Sequence, residues 1–303
     1  MPRVVLVQLL FAALALVMAG LGLTLELADF KRVLGAPRAV VIALVLQMIV
    51  LPGCALLMAH ALQLSPRNAV GLLLLAIAPG SVSCSVYSRV FGGNVALNVS
   101  LTGLNTLLSL VALPAACTWA LGHFGSPAGD VQDLSGKLFE SMLVLVIPVA
   151  IGMVVRAYAP GLARRLDRPM GLLSIGVLIA FSAAAILSEW GALTHAFTQV
   201  GSTAIVFNLL SLFVGYGSAH LLKLGERDAI SLAFQLGVRS AILAIFIAMT
   251  ALNDTQLALP AAVYSITMVP FGLAFGAWVR YRNASRRALS SAQADSADLQ
   301  LRA

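Results

Sequence analysis

An arginine stands in the middle of a long apolar run, within Gln235-Leu236-Gly237-Val238-Arg239-Ser240. If that run crosses a bilayer, a charge at its centre costs about 2.5–3.5 kcal/mol on insertion scales, so Arg239 needs a partner. No acidic residue lies near the middle of any apolar run; Glu26, Glu140 and Glu189 fall near run ends. The available partners are backbone carbonyls freed by a helix break, the amides of Gln47 and Gln235, or an anionic ligand. A guanidinium fits carboxylate, sulfate or phosphate through two-pronged hydrogen bonding. Two roles are therefore open. Arg239 holds an organic-anion substrate, or it is a structural cation that caps broken backbone.

A second run carries Pro79-Gly80-Ser81-Val82-Ser83-Cys84-Ser85 at its middle. Proline removes a backbone donor and crowds the preceding turn, and glycine loosens the chain further. A third run presents Asn94, Asn98, Thr102 and Asn105 at spacings of four, four and three, one helical face. Polar groups facing lipid are costly, so this face points inward, toward a ligand or toward hydrogen bonds with other helices. Ser240, Ser83, Val82 and Asn98 are the residues expected beside Arg239 at a substrate. Gln47, five residues before Pro52, and Asn208 can join the same site or bond a neighbouring helix.

Other chemistry is missing from the pattern. His60, His123, His195 and His220 are scattered, and no HExxH, GxSxG or P-loop occurs, so neither an enzyme nor an ATP-driven pump is indicated. Cys54, Cys84 and Cys117 lie inside apolar runs without a CxxC pair and read as small packing residues.

The elements that must position these residues are membrane helices. The 303 residues are 60% hydrophobic and only 10% charged, with mean hydropathy +0.97. Soluble domains carry about 25% charged residues. The runs are continuously apolar rather than alternating, which excludes a barrel, and each is long enough for the roughly 20 residues a bilayer needs. The pattern predicts an all-α integral membrane protein with nine spans, at 4–26, 39–62, 68–90, 94–120, 138–158, 170–188, 202–223, 227–251 and 257–280. The stretch after Arg3 is too long for a signal peptide and is taken as span 1.

The net charge of +7 would suit nucleic acid, but the basic residues sit between spans, as positive-inside loops require. They collect at the ends of odd-numbered spans. This predicts an outer N-terminus and a cytoplasmic C-terminus in a cell (inner) membrane, an arrangement that needs an odd number of spans. Residues 1–282 form one transmembrane domain, and the polar stretch 283–303 is predicted to be a disordered cytoplasmic tail. The interrupted spans 3 and 8 lie five spans apart. An odd offset reverses direction, so spans 1–4 and 6–9 would form an inverted repeat with the two breaks at the midplane.

The segments GLTLELADFKRVL (22–34), APGSVSCSVYSRVFGGNVALNVSLT (78–102) and QLGVRSAILA (235–244) resemble the bile acid:sodium symporter family over roughly residues 4–280. The resemblance implies a panel of spans 1, 5 and 6, and a core of spans 2, 3, 4, 7, 8 and 9 containing two crossing broken helices. It implies a symporter that moves an organic anion by alternating access between panel and core, coupled to two sodium ions. By resemblance the ion sites map to Cys84, Ser85, Asn98, Thr102, Gln235, Gln47 and Arg239. Cys84 and Ser85 replace a serine and an asparagine, and Asn98 stands where a serine is common. Gln235 replaces a glutamate, Arg239 a glutamine and Ser240 an asparagine. A lost carboxylate and an added arginine repel sodium, so Arg239 is expected to substitute for an ion and make transport sodium-independent. Bile acids, pantoate-like acids, keto acids and sulfated steroids all fit such an anion site. A membrane sensor that has kept the fold but does not transport is the alternative.

Overall fold

The computed structural model describes residues 37–81, 83–125, 146–163 and 197–302, with scattered positions between 15 and 23 and between 165 and 194. Most of predicted spans 1 and 6, and with them most of the expected panel, falls outside the described residues. What is described is helical, apart from a single bridge between two loops.

Apolar length sets the first element, α1 (Pro37–Ala61), which is 25 residues long. Its regular turn is interrupted by a π segment at Leu46–Val50, where the Leu51 N–H reaches back to the Leu46 carbonyl. Pro52 supplies no N–H of its own, so the ladder shifts register just ahead of it. The helix after it, α2 (Pro66–Ile77), starts on Ser65, whose hydroxyl accepts from Asn68 N, with proline at the first helical position. The chain then breaks at Ala78-Pro79-Gly80-Ser81 and resumes as α3 (Ser83–Phe91). A long helix, α4 (Val95–Phe124), begins at the Asn94 cap. It bends by 52° between Val95–Ser109 and Val111–Phe124. Pro114 explains the site of the bend, because its ring crowds the carbonyl four residues back.

The second half is built in the same way. Helix α5 (Phe197–Leu221) opens with a π segment at Phe197–Gly201. Helix α6 (Glu226–Gly237) ends at a second break, Val238-Arg239-Ser240, and α7 (Ala241–Thr250) follows. Helix α8 (Thr255–Arg302) closes the chain. Both α2 and α6 have twelve residues, and α3 and α7 have nine and ten. The turns before α2 and α6 match atom for atom. Gln63 N donates to His60 O and Leu64 N to Ala59 O; Lys223 N donates to His220 O and Leu224 N to Ala219 O. Gln63 and Lys223 both have positive φ, 48° and 56°. These pairs all stand 160 residues apart (220 − 60).

Each half also reaches into the other. Arg67, in the first turn of α2, pairs with Asp254 at 3.0 Å and Gln256 at 2.9 Å, at the start of α8. Asn94, ahead of α4, donates to Arg227 O at 3.1 Å and Asp228 Oδ1 at 2.8 Å, in the first turn of α6. Helices α2 and α6 are buried almost throughout and form the centre, packed against α8 and α5. Gly71 lets α2 approach α8 so closely that a Cβ there would meet the Leu257 carbonyl.

Among the described residues three helices are long and apolar enough to cross a membrane: α1, α5 and α8 up to Ser285, with the bent α4 a fourth if taken as one span. Helix α8 continues through residues 283–302 to Arg302. The segment is rich in alanine, arginine, leucine and glutamine, all good helix formers, and no glycine or proline stops it.

Candidate functional site

The two breaks cross each other. Gly80 and Arg239 form an antiparallel bridge, with Ser81 N donating to Val238 O at 2.9 Å and Ser240 N to Pro79 O at 2.9 Å. A broken helix survives inside a membrane protein only if its freed backbone groups find partners. Here each break supplies part of what the other lacks. Gly80 is required for the approach, because a Cβ at that position would sit 2.5 Å from Gln235 Nε2.

The remaining carbonyls at the C-terminal ends of α2 and α6 converge on one side chain. Arg239 is fully buried. Its Nε donates to Leu236 O at 3.0 Å, at the end of its own helix. Its Nη1 donates to Leu75 O at 3.2 Å, Ala76 O at 2.6 Å and Ala78 O at 2.9 Å, at the end of α2. Its Nη2 donates to Gln47 Oε1 at 3.2 Å, and Gln47 Nε2 in turn donates to Ala78 O at 2.8 Å. The π segment of α1 is the part of that helix that carries Gln47. Gly237 O accepts from both Asn208 Nδ2 at 3.0 Å and Tyr264 Oη at 2.8 Å. Helix C-termini carry partial negative charge and orphan carbonyls. One guanidinium therefore neutralises two of them at once.

Beside this knot lies a second polar group. Gln235 Oε1 accepts from the Cys84 thiol at 3.1 Å and from Thr102 Oγ1 at 3.1 Å. Asn98 Nδ2 donates to Cys84 O at 3.2 Å and Ser88 Oγ at 2.5 Å. Asn98 Oδ1, Gln235 Nε2 and both polar atoms of Asn105 are buried and have no hydrogen-bond partner among the described residues. An unmatched buried donor or acceptor costs about 1–3 kcal/mol, so a water, an ion or a polar ligand group that paired with these atoms would be stabilised there.

Ser81, Ser83, Ser85 and Ser240 are only half-buried and line the accessible side of the crossing. Ser81 Oγ donates to Ser83 Oγ at 3.4 Å. The helices that begin here, α3 at Ser83 and α7 at Ala241, present their positive N-terminal ends to the same region.

The structure thus brings together Gln47, Ser83, Cys84, Ser85, Asn98, Thr102, Gln235, Arg239 and Ser240 at one crossing. Val82 lies outside the described residues. Among the described residues no group of three or more His, Cys, Asp or Glu could hold a metal ion. Tyr264 and Ser88 were not picked out from the sequence. A tyrosine inside an apolar run signals a buried hydroxyl that needs an acceptor. Ser88 is one turn from Cys84 and carried no such mark.

Comparison with known proteins fits this geometry. The sequence model described as the Sodium Bile acid symporter family matches residues 11–196. The "Uncharacterized sodium-dependent transporter YocS" of Bacillus subtilis (strain 168) is 28% identical over 84% of this chain and 77% of its own length. The "Probable sodium/metabolite cotransporter BASS1, chloroplastic" of Arabidopsis thaliana is 24% identical over 84% of this chain. The human "P3 protein" is 25% identical over 78% of this chain. The chain spans 62% of the Arabidopsis protein and 49% of the human one.

Proposed function

The chain belongs to the Sodium Bile acid symporter family, a family of membrane transporters, and from that premise we propose that it is a secondary carrier for a small organic anion that does not depend on sodium. The observation that carries the reading is Arg239. Its guanidinium occupies the helix-end carbonyls that a cation could otherwise hold, and among the described residues no carboxylate pairs with it. A resident positive charge disfavours a sodium ion at the same carbonyls. Gln235, where the resemblance places a glutamate, offers one neutral oxygen that already has two donors.

The same geometry favours an anionic substrate. Its negative group would approach the half-buried Ser83, Ser85 and Ser240 from the open side of the crossing. There the N-termini of α3 and α7 and the charge of Arg239 beneath them all attract it. Arg239 acts through the field and the shape of the break rather than as the contacting ligand, because five of its contacts are already internal.

The matching layout of α2–α3 and α6–α7 at a 160-residue offset supports an inverted repeat, and with it nine spans, an outer N-terminus and a cytoplasmic C-terminus in a cell membrane. Alternating access would then move the panel, spans 1, 5 and 6, against this core.

The test is uptake of radiolabelled organic anions (taurocholate, pantoate, pyruvate and a steroid sulfate) into proteoliposomes. The expected outcome is uptake or counterflow of at least one anion at equal rates in sodium and in choline buffer. Uptake that requires a sodium gradient would overturn the proposal, as would purified protein that moves none of the four while catalysing flux of a cation or neutral solute.

A further inference from the structure

At the other end of α1 and α4 two imidazoles face each other. His60 Nε2 and His123 Nε2 are 3.2 Å apart, and the ring planes are nearly perpendicular. Both rings are exposed. Neighbours restrict them. Trp119 stacks on His123 at 4.8 Å between centroids, and Phe124 packs 5.4 Å from His60 and 5.0 Å from His123. No carboxylate faces either ring among the described residues. The contrast with His220, at the matching position in the second half, is direct. His220 Nε2 has a carboxylate, Glu226 Oε2, at 2.9 Å. His60 has only another imidazole.

Two imidazole nitrogens bound to one metal ion at 2.0–2.1 Å stand about 2.9 Å apart in a square-planar cis arrangement and about 3.3–3.4 Å apart in a tetrahedral one. The observed 3.2 Å lies between these values. Both side chains are exposed, so an ion can reach them without opening the fold, and solvent can fill the remaining positions. We propose that His60 and His123 form a two-histidine chelate for a divalent transition-metal ion of the Zn2+, Ni2+ or Cu2+ class, which ties the end of α1 to the end of α4. No third His, Cys, Asp or Glu joins them among the described residues. The site is therefore an exchangeable one and not a closed structural centre. Charge bias puts this end of the core on the outer face of the membrane, where the ion would arrive from outside.

The experiment is isothermal titration of Ni2+, and separately Zn2+, into the purified full chain in detergent at pH 7.5. Wild type is compared with His60→Gln, His123→Gln and the double variant. Glutamine keeps size and hydrogen bonding at these exposed positions, so folding is preserved; size-exclusion elution checks this. The expected result is one site in the wild type and at least a tenfold weaker affinity in each single variant. The double variant should be no weaker than either single, because a chelate needs both ligands. Wild-type protein without a site overturns the proposal. So does affinity held within twofold in either single variant, which would place the ion elsewhere, for example on a cysteine.

Discussion

Replacing Arg239 with methionine tests the account at its most exposed point. Methionine matches the length and apolar stem of arginine but donates nothing. Of the four carbonyls that Arg239 holds, Ala78 O keeps the Gln47 amide as a second donor. Leu75 O, Ala76 O and Leu236 O lose the donor described above. Hydrogen bonds to a charged group contribute about 1.5–3 kcal/mol net, so three lost at the low end give about 4–5 kcal/mol. The low end is appropriate because Nη1 shares its two N–H groups among three carbonyls, so those bonds are not all at full strength. Arg239→Lys keeps the charge but has no Nε donor and no fork, and should lose about half as much. The assay is equilibrium unfolding of the purified protein in mixed micelles, followed by tryptophan fluorescence. An Arg239→Met protein within about 1 kcal/mol of wild type would refute the reasoning, since the carbonyls would then be satisfied without the guanidinium.

Two further outcomes follow from the same geometry. Gly80→Ala places a methyl group against the Gln235 amide, so it should push the two breaks apart, lower the unfolding midpoint and reduce any measured flux more than Gly217→Ala, whose Cβ meets nothing within 4 Å. At the edge of the core, burial works to raise the carboxyl pKa of Glu226, yet hydrogen bonds from Tyr216, Asn283 and His220 hold it below its ordinary value of 4.5. A depressed pKa contributes stability that is present above the ordinary value and lost as pH falls through the folded one. Wild type should therefore lose more melting temperature than Glu226→Gln between pH 5 and pH 3.5, and parallel acid limbs would contradict this.

Much of this arrangement was legible in the sequence because lipid makes the rules strict. Continuous apolar runs can only be helices there, so the spans containing α1, α4 and α5 were placed within a few residues. The two breaks announced themselves through Pro79-Gly80 and through Gly237 beside a charge. What could not be read was how Arg239 would be used. Its candidate partners were the break carbonyls, amides or a ligand, and only coordinates show that its three nitrogens reach five acceptors inside the protein. The repeat was argued from span order alone, although His60-x-Leu62-x-Leu64 and Arg67 recur as His220-x-Leu222-x-Leu224 and Arg227. That match is short and shared with ordinary helix turns, and gains meaning only when both segments make the same hydrogen bonds. The stretch after Asn283 reads two ways, because its polar composition resembles disorder while its alanines and arginines favour helix.

The most direct test is thermal unfolding of the purified chain in sodium chloride against potassium chloride at equal ionic strength, beside the Gln235→Glu, Arg239→Gln double variant. A ligand that binds only the folded state stabilises it by about 2.7 kcal/mol at a hundred times its dissociation constant. The account predicts no sodium-specific shift in the wild type and an upward shift in the double variant, where a carboxylate has returned and the guanidinium is gone. A sodium-specific rise in the wild type would show that an ion binds despite Arg239, and would contradict the central claim.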